Sequence, residues 1–244
     1  MSYNLHFKLL YSIAAAGNSE DDINRWGCET MVVVLLCPLV SRSPYSNPFI
    51  SMTVLVFATG NPGKLKEMQP FLTGLDWELQ LKPADLEIEE TGVTFLENAR
   101  LKASEVAKAT GQWAISDDSG LSVDVLDGAP GIYSARYGKT NADRIARLLR
   151  ELKGETQRQA QFVCAIALAR PDGEIALEVE GICPGEILDL PRGTGGFGYD
   201  PIFYVPQHQM TFAEMPPELK QQCSHRGKAF EIFLPQLSQL DVKS

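Results

Sequence analysis

The residues of this chain best suited to chemistry are Asp117-Asp118-Ser119-Gly120, where a short apolar run ends in two adjacent carboxylates, a hydroxyl and a glycine. Adjacent carboxylates repel and are costly to bury, so water, a cation or a phosphate-bound metal must relieve them. Such a pair offers a metal ligand together with a group able to take a proton from water. A second set, Thr59-Gly60-Asn61-Pro62-Gly63-Lys64, joins small residues to a lysine and suits an anion. Asn98 and Lys102 stand at i and i+4, so on a helix they share one face and can meet the same ligand. A third set lies in the glycine-rich segment 193–203, where Phe197, Gly198, Tyr199 and Asp200 offer rings to stack on a flat ligand and a carboxylate to hydrogen-bond it. Lys220, His225 and Arg226 add cations suited to an anionic or carbonyl-rich partner.

These groups need elements to hold them. The β-branched and aromatic run Thr53 to Ala58 predicts a buried strand, and Asn61 with Pro62 predicts the cap and first residue of a helix whose free N–H groups face an anion. Pro70 is expected to end or kink that helix. A second strand is expected at Trp77 to Leu81, followed by an acidic loop from Asp85 to Gly92 that carries Glu89 and Glu90. Thr94 with Glu97 reads as a capping box opening a helix that reaches Thr110 and stops at Gly111. A strand over Trp113 to Ser116 then delivers Asp117 and Asp118 at its C-terminal end, where open α/β sheets bind ligands. A loop over 128–137 leads to a helix capped at Thr140 or Asn141. Gln161 to Ala169 and Glu174 to Gly181 read as an antiparallel hairpin, its first strand apolar on both faces. Ser224 caps a final helix towards Leu240, which puts His225 and Arg226 in its first turn.

Spacing excludes two familiar nucleotide motifs. Two residues separate Gly60 from Gly63 and Leu65 follows Lys64, which is not the P-loop pattern. Gly193, Gly195 and Gly198 fit G-x-G-x-x-G, but Tyr199-Asp200-Pro201 cannot open the helix that a dinucleotide fingerprint requires. The net charge of -9 argues against broad binding to nucleic acid or an anionic membrane. Five dispersed cysteines without ligand spacing point to a reducing compartment, the cytoplasm, and to no structural zinc. Residues 1–51 show no sustained period and a Ser/Pro-rich stretch. They read as a disordered or dispensable extension before a domain over 52–244, with Met52 as its effective start. The apolar run Met31 to Val40 is too short to span a bilayer.

Taken together, T-G-N-P-G-K, E-E-T-G-x-T-F-x-E-N-A-x-x-K-A, D-D-S-G-L, G-A-P-G-I-Y-S-A-R-Y, G-T-G-G-F-G-Y-D-P-I-F and S-H-R-G resemble the inosine triphosphate pyrophosphatase family, close to its bacterial dITP/XTP branch. The resemblance runs from Thr53 to about Leu240. It implies a mixed α/β fold with an elongated curved sheet flanked by helices, and two lobes with the active site in the cleft between them. It implies hydrolysis of ITP, dITP or XTP to the monophosphate and pyrophosphate, with Mg2+, in a homodimer that cleanses the nucleotide pool. Carried over by motif, Thr59, Gly60, Asn61, Pro62, Gly63 and Lys64 bind phosphate, Lys102 adds a cation and Ser119 contacts substrate. Asp118 is the proton acceptor and a metal ligand. Glu89 matches the second metal carboxylate, with its neighbour Glu90 as the alternative. Phe197, Gly198, Tyr199, Asp200, Lys220, His225 and Arg226 match the nucleoside-binding positions.

Two other classes fit parts of the pattern. A nucleotide-binding regulatory module would keep Lys64, Phe197 and Arg226 without needing the acidic set. A phosphatase or kinase on another phosphorylated metabolite would need the metal site without a stacking loop.

Overall fold

The computed structural model describes residues 53–240. The expected extension over 1–51 and the start at Met52 lie outside the described residues. Strand β1 (Thr53–Phe57) buries Leu55, Val56 and Phe57, as its β-branched run predicts. Helix α1 (Pro62–Leu72) starts where Asn61 accepts hydrogen bonds from the amides of Gly63 at 2.9 Å and Lys64 at 3.4 Å. Pro70 sits within its last turn and does not end it. Strand β2 (Trp77–Leu81) returns parallel to β1. Helix α2 (Phe95–Thr110) begins on the Thr94 hydroxyl, which accepts from the Glu97 amide at 3.1 Å, and ends at Gly111 in the left-handed conformation.

Strand β3 (Trp113–Val123) differs from its prediction, since it runs straight through the two carboxylates. Its parallel pairing with β1 stops at Ile115, but its antiparallel pairing with β4 (Gln159–Ala169) continues to Val123. One ladder is enough to keep Ser116 to Gly120 extended despite their poor intrinsic strand propensity. Asp117 and Asp118 therefore lie in mid-strand, just beyond the end of β1.

Helix α3 (Asn141–Glu151) carries a complete capping box between Thr140 and Asp143. Strand β5 (Ile175–Ile187) is longer than the predicted hairpin arm and includes Pro184, whose exposed edge position lets the ladder omit its N–H. Strands β6 (Phe203–Val205) and β7 (Met210–Thr211) complete a seven-stranded sheet in the order β2-β1-β3-β4-β5-β6-β7. A short helix α4 (Pro217–Cys223) precedes α5 (His225–Leu237), whose cap is Ser224, as expected.

The β1–β3 end is covered on both faces. Helices α1 and α5 pack Met68, Leu72, Phe230 and Phe233 on Leu55, Phe57 and Ile166, and α2 lays Ala99, Ala103 and Ala107 on Val56, Ala114 and Ala167. A separate core gathers Phe162, Phe203, Phe212, Leu148 and Leu152 around the β5–β7 end. Full burial of such side chains contributes about 1.5 to 3 kcal/mol each, so each end of the sheet has its own apolar anchor and the polar stretch of β3 is held between them. No described helix is long and apolar enough to cross a membrane.

Candidate active site

Strand alternation sends the two acids of β3 to opposite faces of the sheet. Asp117 and Ser119 lie opposite Ile166 and Cys164, on the face covered by α1 and α5, and Asp118 lies opposite Ala165, on the face covered by α2. Because β1 has already ended, Lys64 in the first turn of α1 reaches both, at 3.2 Å from Asp117 and 3.8 Å from Asp118. On the first face Arg226 donates to Asp117 at 3.1 Å and to the Ser119 hydroxyl at 2.7 Å. On the second, Lys102 approaches Asp118 at 3.3 Å, and Asn98 donates its side-chain amide to Asp118 at 3.2 Å while accepting from the Gly92 amide at 2.8 Å. The i, i+4 spacing of Asn98 and Lys102 thus delivers both to one carboxylate.

Their partners give the neighbouring acids different characters. Burial alone would raise Asp117, but Lys64, Arg226 and Lys102 outweigh it and hold the carboxyl far below the usual range. At Asp118 burial wins over Lys102 and Lys64, helped by Glu90 and Asp117, and its pKa rises. One acid is a fixed anion and the other is poised to accept a proton. Lys102 stays firmly protonated, because Asp118, Asp117 and Glu90 overcome the cost of burying it.

Of the two acidic-loop candidates, Glu90 lies beside this cluster, 2.7 Å from Lys102 and 3.2 Å from Arg136. Glu89 is exposed and lines a separate surface depression with Leu86, Leu101 and Lys108. Asp118 and Glu90, joined through Lys102, offer oxygen donors, and Asp117 Oδ1 is buried without a partner on the other face; carboxylate oxygens suit a hard divalent cation. Among the described residues no three acidic, His or Cys side chains are grouped closely enough to hold a metal unaided. A magnesium-type ion that takes one or two carboxylates and completes its shell with water and substrate oxygens fits that arrangement.

One cleft is lined by Asn61, Lys64, Ser119, Phe197, Gly198, Tyr199, Asp200, Lys220, His225 and Arg226, which brings Asn61 and Lys64 of the phosphate-type set beside the base-type candidates. Thr59 stabilises its own loop by accepting from the Asn61 amide at 3.2 Å. Gly63 lies directly under Phe197, so that a Cβ there would meet the ring at 3.1 Å. Of the two aromatic candidates only Phe197 is half-exposed. Tyr199 is buried in the β5–β7 core and donates its hydroxyl to the Ser134 carbonyl at 3.0 Å, so it anchors the loop from beneath. Asp200 is also inward, accepting from the Phe197 amide and from Lys220, both at 2.7 Å. Its carboxylate fixes the turn that presents Phe197.

His225 was expected as half of a cation pair. It is buried, its ring stacks on Phe162 at 4.7 Å, and burial followed by the charges of Arg226 and Lys220 drives its pKa well below the ordinary value. It is therefore a neutral imidazole, and its Nδ1, like Arg226 Nε, has no partner in the protein.

Glu67 was missed by sequence reading. It bonds Lys220 at 2.6 Å and also pairs with Arg226, tying α1 to α4 and α5. Its position three residues after Lys64, on the same helix face, was the available signal.

The Ham1 family model matches residues 55–236. A dITP/XTP pyrophosphatase of Nostoc sp. is 68% identical over 185 residues, covering 76% of this chain and 94% of the relative. One from Synechocystis sp. is 62% identical over 185 residues, covering 76% and 95%. Among solved structures, a HAM1 protein from Coxiella burnetii superposes with a TM-score of 0.72 at 44% identity, covering 78% of this chain and all of that one. The Staphylococcus aureus Ham1 protein gives a TM-score of 0.70 at 42% identity, covering 76% and 98%.

Proposed function

The chain belongs to the Ham1 family, and from that premise we propose that it hydrolyses the non-standard purine triphosphates ITP, dITP and XTP to monophosphate and pyrophosphate, removing them from the nucleotide pool. The observation that carries this reading is the pair of oppositely facing acids on β3, one locked as an anion and one poised, between an anion-binding helix start and an aromatic loop.

A triphosphate brings about four negative charges, which repel an attacking water and must be neutralised before the α-phosphorus is reached. In this reading the free amides at the start of α1, with Lys64 and Lys102, take the phosphate oxygens. Asp118, placed within reach of Lys102 and Lys64, accepts the proton of the attacking water. Magnesium, held by Asp118 with Glu90 in place of the expected Glu89, would supply charge neutralisation on the leaving pyrophosphate and a more acidic water. Asp117 stays charged and holds Lys64, Arg226 and Ser119 in register.

Purine selection follows from hydrogen bonding. Hypoxanthine and xanthine present an acceptor at position 6 and adenine an amino donor. Donors from His225 and Arg226 reward the first and leave buried groups unpaired with the second, roughly 1 to 3 kcal/mol per mismatch. Phe197 stacks on the base, and Asp200 and Lys220 hold its loop. The same reading has the protein act as a homodimer in the cytoplasm, supported by the family resemblance and by the free Cys164, Cys183 and Cys223 among the described residues.

Turnover of ITP and XTP against ATP and GTP, with pyrophosphate as the monitored product, tests the assignment. Strong preference for ITP and XTP over ATP is expected from the position-6 argument, and the GTP rate measures selection beyond it. Equal turnover of ATP defeats the selectivity argument, and tight binding without turnover makes the protein a regulatory module.

A further inference from the structure

The charged groups of the site form a row of alternating sign. From the base side it runs Arg226 to Asp117 at 3.1 Å, Asp117 to Lys64 at 3.2 Å, Lys64 to Asp118 at 3.8 Å and Asp118 to Lys102 at 3.3 Å. It continues from Lys102 to Glu90 at 2.7 Å and ends from Glu90 to Arg136 at 3.2 Å. Its two ends differ in burial: the side chain of Arg226 is 3% exposed and that of Arg136 is 54%, with Lys64 and Lys102 between them at 14% and 11%. Arg136 is the last cation of the row and its most exposed member, and the reading above gives it no role.

An exposed arginine paired with one glutamate is ordinarily worth little, but the backbone carrying this one is held firmly. Arg136 ends a 3-10 turn, Gly131–Arg136, in which the Ser134 hydroxyl accepts from the Leu121 amide at 2.9 Å and the Ser134 carbonyl accepts from Tyr199. That turn presses so closely on β3 that a Cβ at Gly120 would come within 2.5 Å of the Ser134 hydroxyl oxygen. The backbone of Arg136 is thereby fixed relative to Asp118, two residues before Gly120, and the planar fork of its side chain suits paired phosphate oxygens.

We infer that Arg136 is a further substrate-binding residue, receiving the pyrophosphate end of the triphosphate beyond Lys102. This rests on the pyrophosphatase reading. With the base at Phe197 and His225 and the α-phosphate at Asp118, the remaining phosphates run along the row towards its exposed end. Glu90 holds the guanidinium in place until those phosphates arrive.

Calorimetric titration of inorganic pyrophosphate and, separately, IMP at saturating magnesium tests this on the full chain and on Arg136→Ala and Arg136→Lys. The expected result is a pyrophosphate dissociation constant raised about tenfold in Arg136→Ala, as for loss of one charge-assisted contact, with IMP affinity unchanged. Arg136→Lys recovers part of the loss, and the preference of kcat/KM for ITP over IDP narrows in Arg136→Ala. Unchanged pyrophosphate affinity in Arg136→Ala overturns the inference, including when the variant only demands more magnesium, since Arg136 would then act through Glu90 alone. Wild-type protein that neither binds pyrophosphate nor forms it from ITP refutes the pyrophosphatase reading along with it. A wild type that does both, beside an Arg136→Ala that binds pyrophosphate equally well, refutes this inference alone.

Discussion

Replacing each acid of β3 separately by its amide separates their roles. Asp117 is fully buried, and one of its oxygens meets Lys64 at 3.2 Å, Arg226 at 3.1 Å and the Ser119 hydroxyl at 3.1 Å. Asp117→Asn removes the anion and leaves two cations facing a neutral amide. Breaking a buried pair from one side costs about 3 to 5 kcal/mol. Glu67 still compensates Arg226 and Asp118 still compensates Lys64, so the lower end, about 3 kcal/mol, is expected. For a chain of this size that is a fall in Tm of roughly 6 to 12 °C. Asp118 differs, because its raised pKa means that the free protein does not favour its charge. Asp118→Asn should therefore leave stability within about 1 kcal/mol while abolishing turnover. Urea unfolding followed by circular dichroism, with unchanged m-values, measures both differences. Equal destabilisation by the two substitutions, or none from Asp117→Asn, refutes the division of roles.

Three further outcomes follow from the same contacts. Phe197→Ala should raise KM for ITP roughly tenfold or more, because an aromatic contact to a base is worth about 1 to 3 kcal/mol, and leave Tm nearly unchanged; steady-state kinetics with a melting curve check both. His225 titrates well below its ordinary value when folded, so below about pH 6.5 the unfolded chain binds a proton that the folded chain does not. Stability should fall there by up to about 1.4 kcal/mol per pH unit, and in His225→Gln the part of that slope between about pH 6.5 and 5 should vanish in urea titrations at stepped pH. A chain beginning at Met52 should keep the Tm and ITP turnover of the full chain, and a clear loss of either would show that 1–51 contribute.

Much of this architecture was legible because local signals were strong. Asn61 with Pro62 marked the start of α1, Thr94 the start of α2 and Ser224 the start of α5, each through side-chain capping that needs no tertiary context. The end of β3 was misread for the opposite reason. Ser116 to Gly120 has the composition of a turn, and only its long ladder with β4 keeps it extended. The opposite facing of Asp117 and Asp118 follows from that extension and was invisible without it. Tyr199 looked like a stacking ring because its motif also holds Phe197, but the loop's tight turn sends one ring into the cleft and the other into the core. His225 read as a cation by residue type, whereas its burial against Phe162 makes it neutral. Glu67 resembled any polar residue on a helix surface until α4 and α5 packed against it.

The central claim, that water attacks the α-phosphorus and releases pyrophosphate in one step, is tested most directly by turning over ITP in heavy-oxygen water and weighing the products. The account predicts the label in IMP, unlabelled pyrophosphate and no IDP. Label in orthophosphate with IDP accumulating would contradict it and make the protein a phosphatase.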